Sequence, residues 1–172
     1  MDDDFDATTP GWGESTFATA TLEVNKTTLG IEVELVGAVT DAFDRDVLIV
    51  MTDAGGAVID SFVDTVSFLS QTGTVSLTQV PDGVAAVSAD TDWTLRTKQD
   101  VIYDGNGQGT VALPLFGGDL NHDNLVDMLD FTRLRYFWMQ PTTEADIDGD
   151  GAVNSVDYGI LRSNWYLSGN EQ

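Results

Sequence analysis

Two stretches near the end of the chain set out oxygen-bearing side chains at the same intervals. The first is Asp119-Leu-Asn-His-Asp-Asn-Leu-Val-Asp-Met-Leu-Asp130; the second, Asp146-Ile-Asp-Gly-Asp-Gly-Ala-Val-Asn-Ser-Val-Asp157, follows at an offset of 27 residues. Loop positions 1, 3, 5, 9 and 12 are Asp119, Asn121, Asp123, Asp127 and Asp130 in one copy, and Asp146, Asp148, Asp150, Asn154 and Asp157 in the other. Alternate residues of a tight turn point inward, and a hard cation takes six to eight oxygens, so this is the spacing of a calcium loop. Position 7 supplies a main-chain carbonyl, so Leu125 and Ala152 need no polar side chain. Position 6 must bend with a positive φ, which Gly151 adopts freely and Asn124 tolerates. Each loop gathers four carboxylates. Two carboxylates ~4 Å apart repel by about 4 kcal/mol at an effective dielectric of ~20. The pattern therefore predicts two calcium ions, one in each loop.

The repeat runs on past the loops. At the same offset Val126 matches Val153, Leu134 matches Leu161, Arg135 matches Arg162 and Trp138 matches Trp165, with Phe131 answered by Tyr158. Apolar residues recur at helical spacing through Phe131, Leu134, Phe137 and Trp138, then Tyr158, Leu161 and Trp165. Each unit thus reads as a loop feeding a helix of about three turns, with Trp138 and Trp165 in a shared core. The segment before the first loop, Leu113-Pro-Leu-Phe-Gly-Gly118, cannot be the entering helix of an ordinary EF-hand. Position 12 is Asp in both copies, where an ordinary EF-hand has Glu.

A loop-helix tandem with Asp at position 12 and no entering helix resembles a dockerin domain, over roughly residues 118–169. The resemblance implies a small calcium-folded module with pseudo-twofold symmetry, one face of whose helices docks on a cohesin domain. It places the recognition positions at Met128, Leu129, Arg135 and Tyr136 in the first unit and Ser155, Val156, Arg162 and Ser163 in the second. The second set is closer to the usual Ser/Thr-containing pattern, and Met-Leu in the first departs from it.

Ahead of the tandem the period is two. Ala18, Ala20, Leu22 and Val24 alternate with polar residues, as do Ile31, Val33 and Leu35 with Glu32 and Glu34. Val47–Met51 is an unbroken apolar run that suits a strand buried on both faces. Further strands are predicted at 58–63, 74–77, 84–89, 93–96, 101–103 and 110–115, separated by turn signals at 54–56, 72–73, 81–83 and 104–107. Seven to nine short strands of this kind predict an antiparallel sandwich, immunoglobulin-like or prealbumin-like. The stretch from Thr72 to Ala89, with its Val80-Pro-Asp-Gly83 turn, resembles the hairpin of carboxypeptidase-regulatory-like and collagen-adhesin B-type modules. Lys26 and Lys98 are the only lysines available for the isopeptide crosslink of some adhesins, and an exposed strand end suits either better. The expected organisation is an acidic lead-in over 1–15, a mainly β sandwich over 16–117 and a small α dockerin-like domain over 118–172. The short joint between the last two argues that they pack together. The end of the chain after Trp165 is expected to fray.

Composition narrows the function. The net charge is -22, with 29 acidic against seven basic residues, and two calcium ions offset only four charges. Nucleic acid and anionic membrane surfaces need basic residues and are excluded as partners. With no cysteine there is neither a disulfide nor a thiolate zinc site. No apolar run approaches a membrane span. Met1-Asp-Asp-Asp-Phe-Asp lacks the basic start and apolar core of a signal peptide, so any leader is expected to have been removed. Millimolar calcium outside cells would fill even weak loops, which points to a secreted or cell-surface location. His122 is the only histidine and stands at a non-ligand position facing solvent; no nucleophile elbow or phosphate loop accompanies it. A non-catalytic protein is expected. As an attachment module it would dock on a cohesin-like receptor. Alternatively, copies of the chain would assemble into a calcium-stabilised fibre or surface layer. As a third alternative, the sandwich would bind carbohydrate, with tryptophans at 12, 93, 138 and 165 available for stacking.

Overall fold

A computed structural model describes residues 27–38 and 42–171. The expected lead-in, the alternation from Ala18 to Val24, Trp12 and Lys26 lie outside the described residues. Seven strands and two helices follow in order: β1 Thr28–Val36, β2 Ala42–Thr52, β3 Val58–Leu69, β4 Thr72–Leu77, β5 Ala86–Asp90, β6 Thr97–Asp100, β7 Gln108–Phe116, α1 Met128–Tyr136 and α2 Ser155–Ser163.

The strands are joined in the order β6-β5-β2-β3-β4-β1-β7. β3 and β4 meet only at Leu69 and Thr72, so the sheet turns a corner there and folds over on itself. The enclosed core takes Leu29, Ile31 and Val33 from β1, Val47, Ile49 and Met51 from β2, Phe68 from β3, Val87 from β5 and Leu113 and Leu115 from β7. Alternation explains β1, whose Glu32 and Glu34 stay exposed while Ile31 and Val33 are buried. β2 is buried on both faces from Ile49 to Thr52, as its unbroken apolar run requires.

Several details differ from the sequence reading. β1 and β7 run parallel, from Thr28 beside Gln108 to Val36 beside Phe116, and the other pairings are antiparallel. Residues 93–96 form no strand. Thr91 and Thr94 close a turn, Thr94 donating its N–H to the Thr91 carbonyl while Thr91 donates its own to the Thr94 hydroxyl. Residues 101–103 contribute only the single bridge of Tyr103 to Gly109, and the neighbouring polar segment 97–100 is the strand instead. The strands on either side of the Pro81-Asp-Gly83 turn pair with β1 and with β2, not with each other.

A second core lies between the sheet and the helices. Leu120, Val126, Leu134, Ala145, Ile147, Val153, Ile160 and Leu161 form it together with Leu95, and Trp93 and Phe116 pack against it. Trp93 and Leu95, which fall in the predicted 93–96 strand, thus serve the C-terminal unit. The passage between the two parts is tight. A Cβ on Gly117 would come within 2.5 Å of the Ile147 side chain, and Gly118 takes φ +125°. Gly118 N–H donates to the Trp93 carbonyl, and the Asn164 amide donates to the Gly117 carbonyl. The segment after Trp165 is fastened as far as Asn170 rather than frayed. Asn170 N–H donates to the Arg96 carbonyl, and Lys98 N–H to the Asn170 side chain. Trp138 falls beyond the end of α1 and is 41% exposed, so only Trp165 of the matched pair packs on the core.

Candidate metal loops and docking face

Each helix starts inside its loop. Asp127 and Asn154, at position 9, are the N-caps of α1 and α2, and their side chains accept from the N–H of Leu129 and Val156. Position 12 is the third helical residue. Asp130 and Asp157 reach back to the N–H of Asp127 and Asn154 at 2.7 Å, completing a reciprocal capping box in both units. Their other oxygens accept from the loop: Asp130 Oδ1 from Leu120 and Asn121, Asp157 Oδ1 from Ile147 and Asp148. The short Asp side chain at position 12 therefore binds loop to helix with three main-chain N–H groups. The last turns carry Arg133, Arg135 and Arg162, which suit the negative end of the helix dipole.

Sequence and structure agree on the bend. Asn124 and Gly151 at position 6 have φ +65° and +91°, and position 4 adds His122 and Gly149 at +63° and +78°. Both position-6 N–H groups donate to the position-1 carboxylate, Asn124 to Asp119 and Gly151 to Asp146.

Loop two brings Asp146, Asp148 and Asp157 together, with a carboxylate oxygen of each within 4.8 Å of the others. Asp150 stands outside that group, accepting from Ala152 N–H and from the Asn154 amide. In loop one Asp119 is 4% exposed, and its Oδ1 is buried without a hydrogen-bond partner. Such an oxygen is expensive to bury unless something positive meets it. Asn121 and Asp123 lie on the rim, joined by a 2.8 Å amide-to-carboxylate bond. At position 9, Asp127 and Asn154 each give one oxygen to the helix cap, accepting from Leu129 and Val156 N–H, at a position that often reaches calcium through a water. The donors fit a hard divalent cation: oxygens only, mostly anionic, grouped closely in a partly buried turn.

Crowding shows in the carboxyl groups. Burial pushes the pKa of Asp119, Asp130 and Asp157 above the usual carboxylate range, and the N–H groups aimed at them offset only part of this. Asp148 is pushed up to about 6, first by burial and then by the neighbouring charges of Asp157 and Asp150.

The units are tied crosswise. Met139, just after α1, donates its N–H to the Val153 carbonyl of loop two, and Tyr166, just after α2, donates to the Val126 carbonyl of loop one. The return bonds run from Val153 to Gln140 and from Val126 to Leu167. Met139 and Tyr166 occupy matching positions at φ +60° and +65°.

Residues 117–164 match the family of the dockerin type I domain. The C-terminal unit is dockerin-like. Dockerin type I domains bind calcium. The fold is similar to that of a chain in a C-terminal interface mutant of a type II cohesin–X-dockerin complex from Acetivibrio cellulolyticus. That match has 12% identity and a TM-score of 0.57, and it covers 83% of this chain and 97% of the other. An N-terminal interface mutant of the complex gives a TM-score of 0.57 at 13% identity, with coverage of 83% and 97%. At such identities the likeness is one of fold. No curated protein matches the chain.

On the dockerin-like unit, all eight residues singled out for partner contact are exposed: Met128, Leu129, Arg135 and Tyr136 on α1, and Ser155, Val156, Arg162 and Ser163 on α2. Met128 and Leu129 are each 60% exposed and Tyr136 75%, whereas Ile160 and Leu161 on α2 turn inward to the second core. The sheet therefore leaves this face open. Sequence reasoning missed Arg45, which reaches loop two from β2. Its only signal was a charged residue in register with the buried Val47 and Ile49. Among the described residues, no helix is long and apolar enough to cross a membrane.

Proposed function

We propose that the chain is a non-catalytic, extracellular or cell-surface assembly protein whose dockerin-like unit docks on a cohesin-like receptor. Two calcium ions hold that unit. The first is bound through Asp119, Asn121, Asp123, the Leu125 carbonyl, Asp127 by way of water, and Asp130. The second is bound by Asp146, Asp148, Asp150, the Ala152 carbonyl, Asn154 by way of water, and Asp157. The sandwich over 16–117 is the spacer that presents the docking unit over 118–172. The observation that carries this reading is the open apolar face on α1, where Met128, Leu129 and Tyr136 stand clear of both cores. Large apolar side chains grouped at a helix surface are the usual mark of a protein contact.

Binding of the full chain to immobilised type I and type II cohesin domains, in calcium and in chelator, tests the proposal. A cohesin should bind in calcium alone. Met128→Asp with Leu129→Asp should abolish binding at unchanged far-UV circular dichroism. Failure of every cohesin to bind would overturn the partner. Growth in particle size on adding calcium would point to copies of the chain instead, and retention on glycans to a sugar-binding sandwich.

A further inference from the structure

Arg45 is a cation in the wrong place for a surface residue. It sits on β2 between exposed Asp44 and Asp46, yet only 8% of it is accessible. Its guanidinium lies 3.8 Å from the centroid of the Trp93 ring and 5.5 Å from that of Phe43. One amine, Nη2, donates at 2.8 Å to the main-chain carbonyl of Asp146, the first residue of loop two. Gly149, at position 4 of that loop, lies against the same group, and a Cβ there would stand 3.2 Å from Nη2. A buried charge without compensation is strongly destabilising. Here the compensation comes from Asp146, Asp148, Asp157 and Asp92, to whose charges Arg45 is drawn. Burial lowers its pKa, but an arginine begins so high that it keeps its proton.

The bond goes to a carbonyl and not to a carboxylate. Asp146 spends its carboxylate oxygens on Gly149 and Gly151 N–H. Arg45 thus brings positive charge to the back of the loop without taking a hydrogen-bonding place on the acidic oxygens at the front. Loop one has no such counterpart among the described residues. Its contact with the sheet is neutral, Asn124 Oδ1 accepting from the main-chain N–H of Arg96, whose guanidinium is paired with Asp90 at 2.6 Å. Each loop holds four carboxylates, yet among the described residues only loop two has an arginine side chain hydrogen-bonded to its backbone; Arg96 lines the same pocket as Asp119 and Asp123 of loop one but is paired with Asp90.

We propose that Arg45 is a resident counter-ion and positioning residue of loop two, which keeps that loop folded on the sheet when calcium is scarce and leaves loop one as the ion-dependent half. This rests on the two loops being calcium sites. Stepwise loss follows: falling calcium loosens loop one first, while loop two remains docked through Arg45 and Trp93.

Hydrogen–deuterium exchange of the full chain, with calcium chloride or in excess chelator, tests this. In wild type, chelator should raise exchange at 120–125 by roughly tenfold more than at 147–152, a gap corresponding to ~1.4 kcal/mol. Arg45→Met, which keeps the apolar stem, should erase that difference in chelator and leave exchange in calcium near the wild-type rate. Amides of β2 and β3 serve as the internal check that the sheet is intact. Equal response of both loops in wild type would overturn the proposal with no variant needed. An Arg45→Met change of the same size with and without calcium would also overturn it, since mere packing predicts that result. If neither loop responds to calcium at all, the calcium reading itself fails.

Discussion

Asp157→Asn separates the two duties of the residue at position 12. In the native protein its Oδ1 accepts from Ile147 at 2.6 Å and from Asp148 at 3.2 Å, and its Oδ2 accepts from Asn154 at 2.7 Å. The side chain is fully buried, so water cannot replace a missing partner. Asparagine keeps one acceptor oxygen and puts an NH2 group at the other site, where it would face the Asn154 N–H donor to donor. One orphaned buried N–H costs about 1–3 kcal/mol. The two retained bonds weaken as they lose the charge, whereas removing a buried carboxylate relieves the desolvation that raises its pKa. These two effects oppose, leaving a metal-free loss of about 1–3 kcal/mol. At ~2–4 °C per kcal/mol for a chain of this size, that is a drop in Tm of roughly 2–12 °C in chelator. In calcium the variant also lacks a ligand. If affinity falls about a hundredfold, the calcium-linked gain shrinks by up to ~2.7 kcal/mol. Differential scanning calorimetry in chelator and in millimolar calcium reads both quantities. An equal drop under the two conditions would refute the ligand role and leave Asp157 as a capping residue only.

Three further outcomes are expected. Metal-free protein should lose stability as pH rises. The folded-state pKa values of Asp119, Asp130, Asp148 and Asp157 lie above their ordinary ones, so the folded form holds extra protons near pH 4 and releases them as pH passes about 6, where Asp148 titrates. Thermal melts at pH 5 and 7.5 in chelator check this, and Asp148→Asn should flatten the trend. With calcium the slope should reverse, because protons compete with the ion for the same carboxylates. Gly117→Val should cost at least ~1–3 kcal/mol by overpacking against Ile147, seen as a lowered denaturation midpoint and faster proteolysis at the joint. Met128→Asp and Leu129→Asp, both on the open face, should each change stability by no more than ~0.5 kcal/mol in urea titrations.

The loops and helices were readable because their determinants are local. Position 6 needs a bend, position 9 caps a helix and position 12 closes the box, and all three lie within one turn of chain. The 27-residue repeat made chance matches implausible. Strands β1 and β2 announced themselves by alternation and by an apolar run. What failed depended on distant residues. Trp93 and Leu95 alternate as in a strand, yet the Thr91–Thr94 turn points them at the helices, and that choice is made by a core assembled from residues 120 to 161. The parallel pairing of β1 with β7 joins segments 80 residues apart, which no local pattern specifies. Trp138 shares the repeat with Trp165 but not its surroundings, because only Trp165 packs against Phe131. Arg45 reaches a loop 101 residues away, so the sequence displayed only its awkward position among core residues.

Isothermal titration calorimetry of the metal-stripped full chain with calcium chloride at neutral pH bears most directly on the account. It predicts two bound ions per chain, reduced to one by Asp119→Asn or by Asp146→Asn, with helical circular dichroism rising as the sites fill. Titration to millimolar calcium without heat, while the C-terminal helices remain folded, would contradict it.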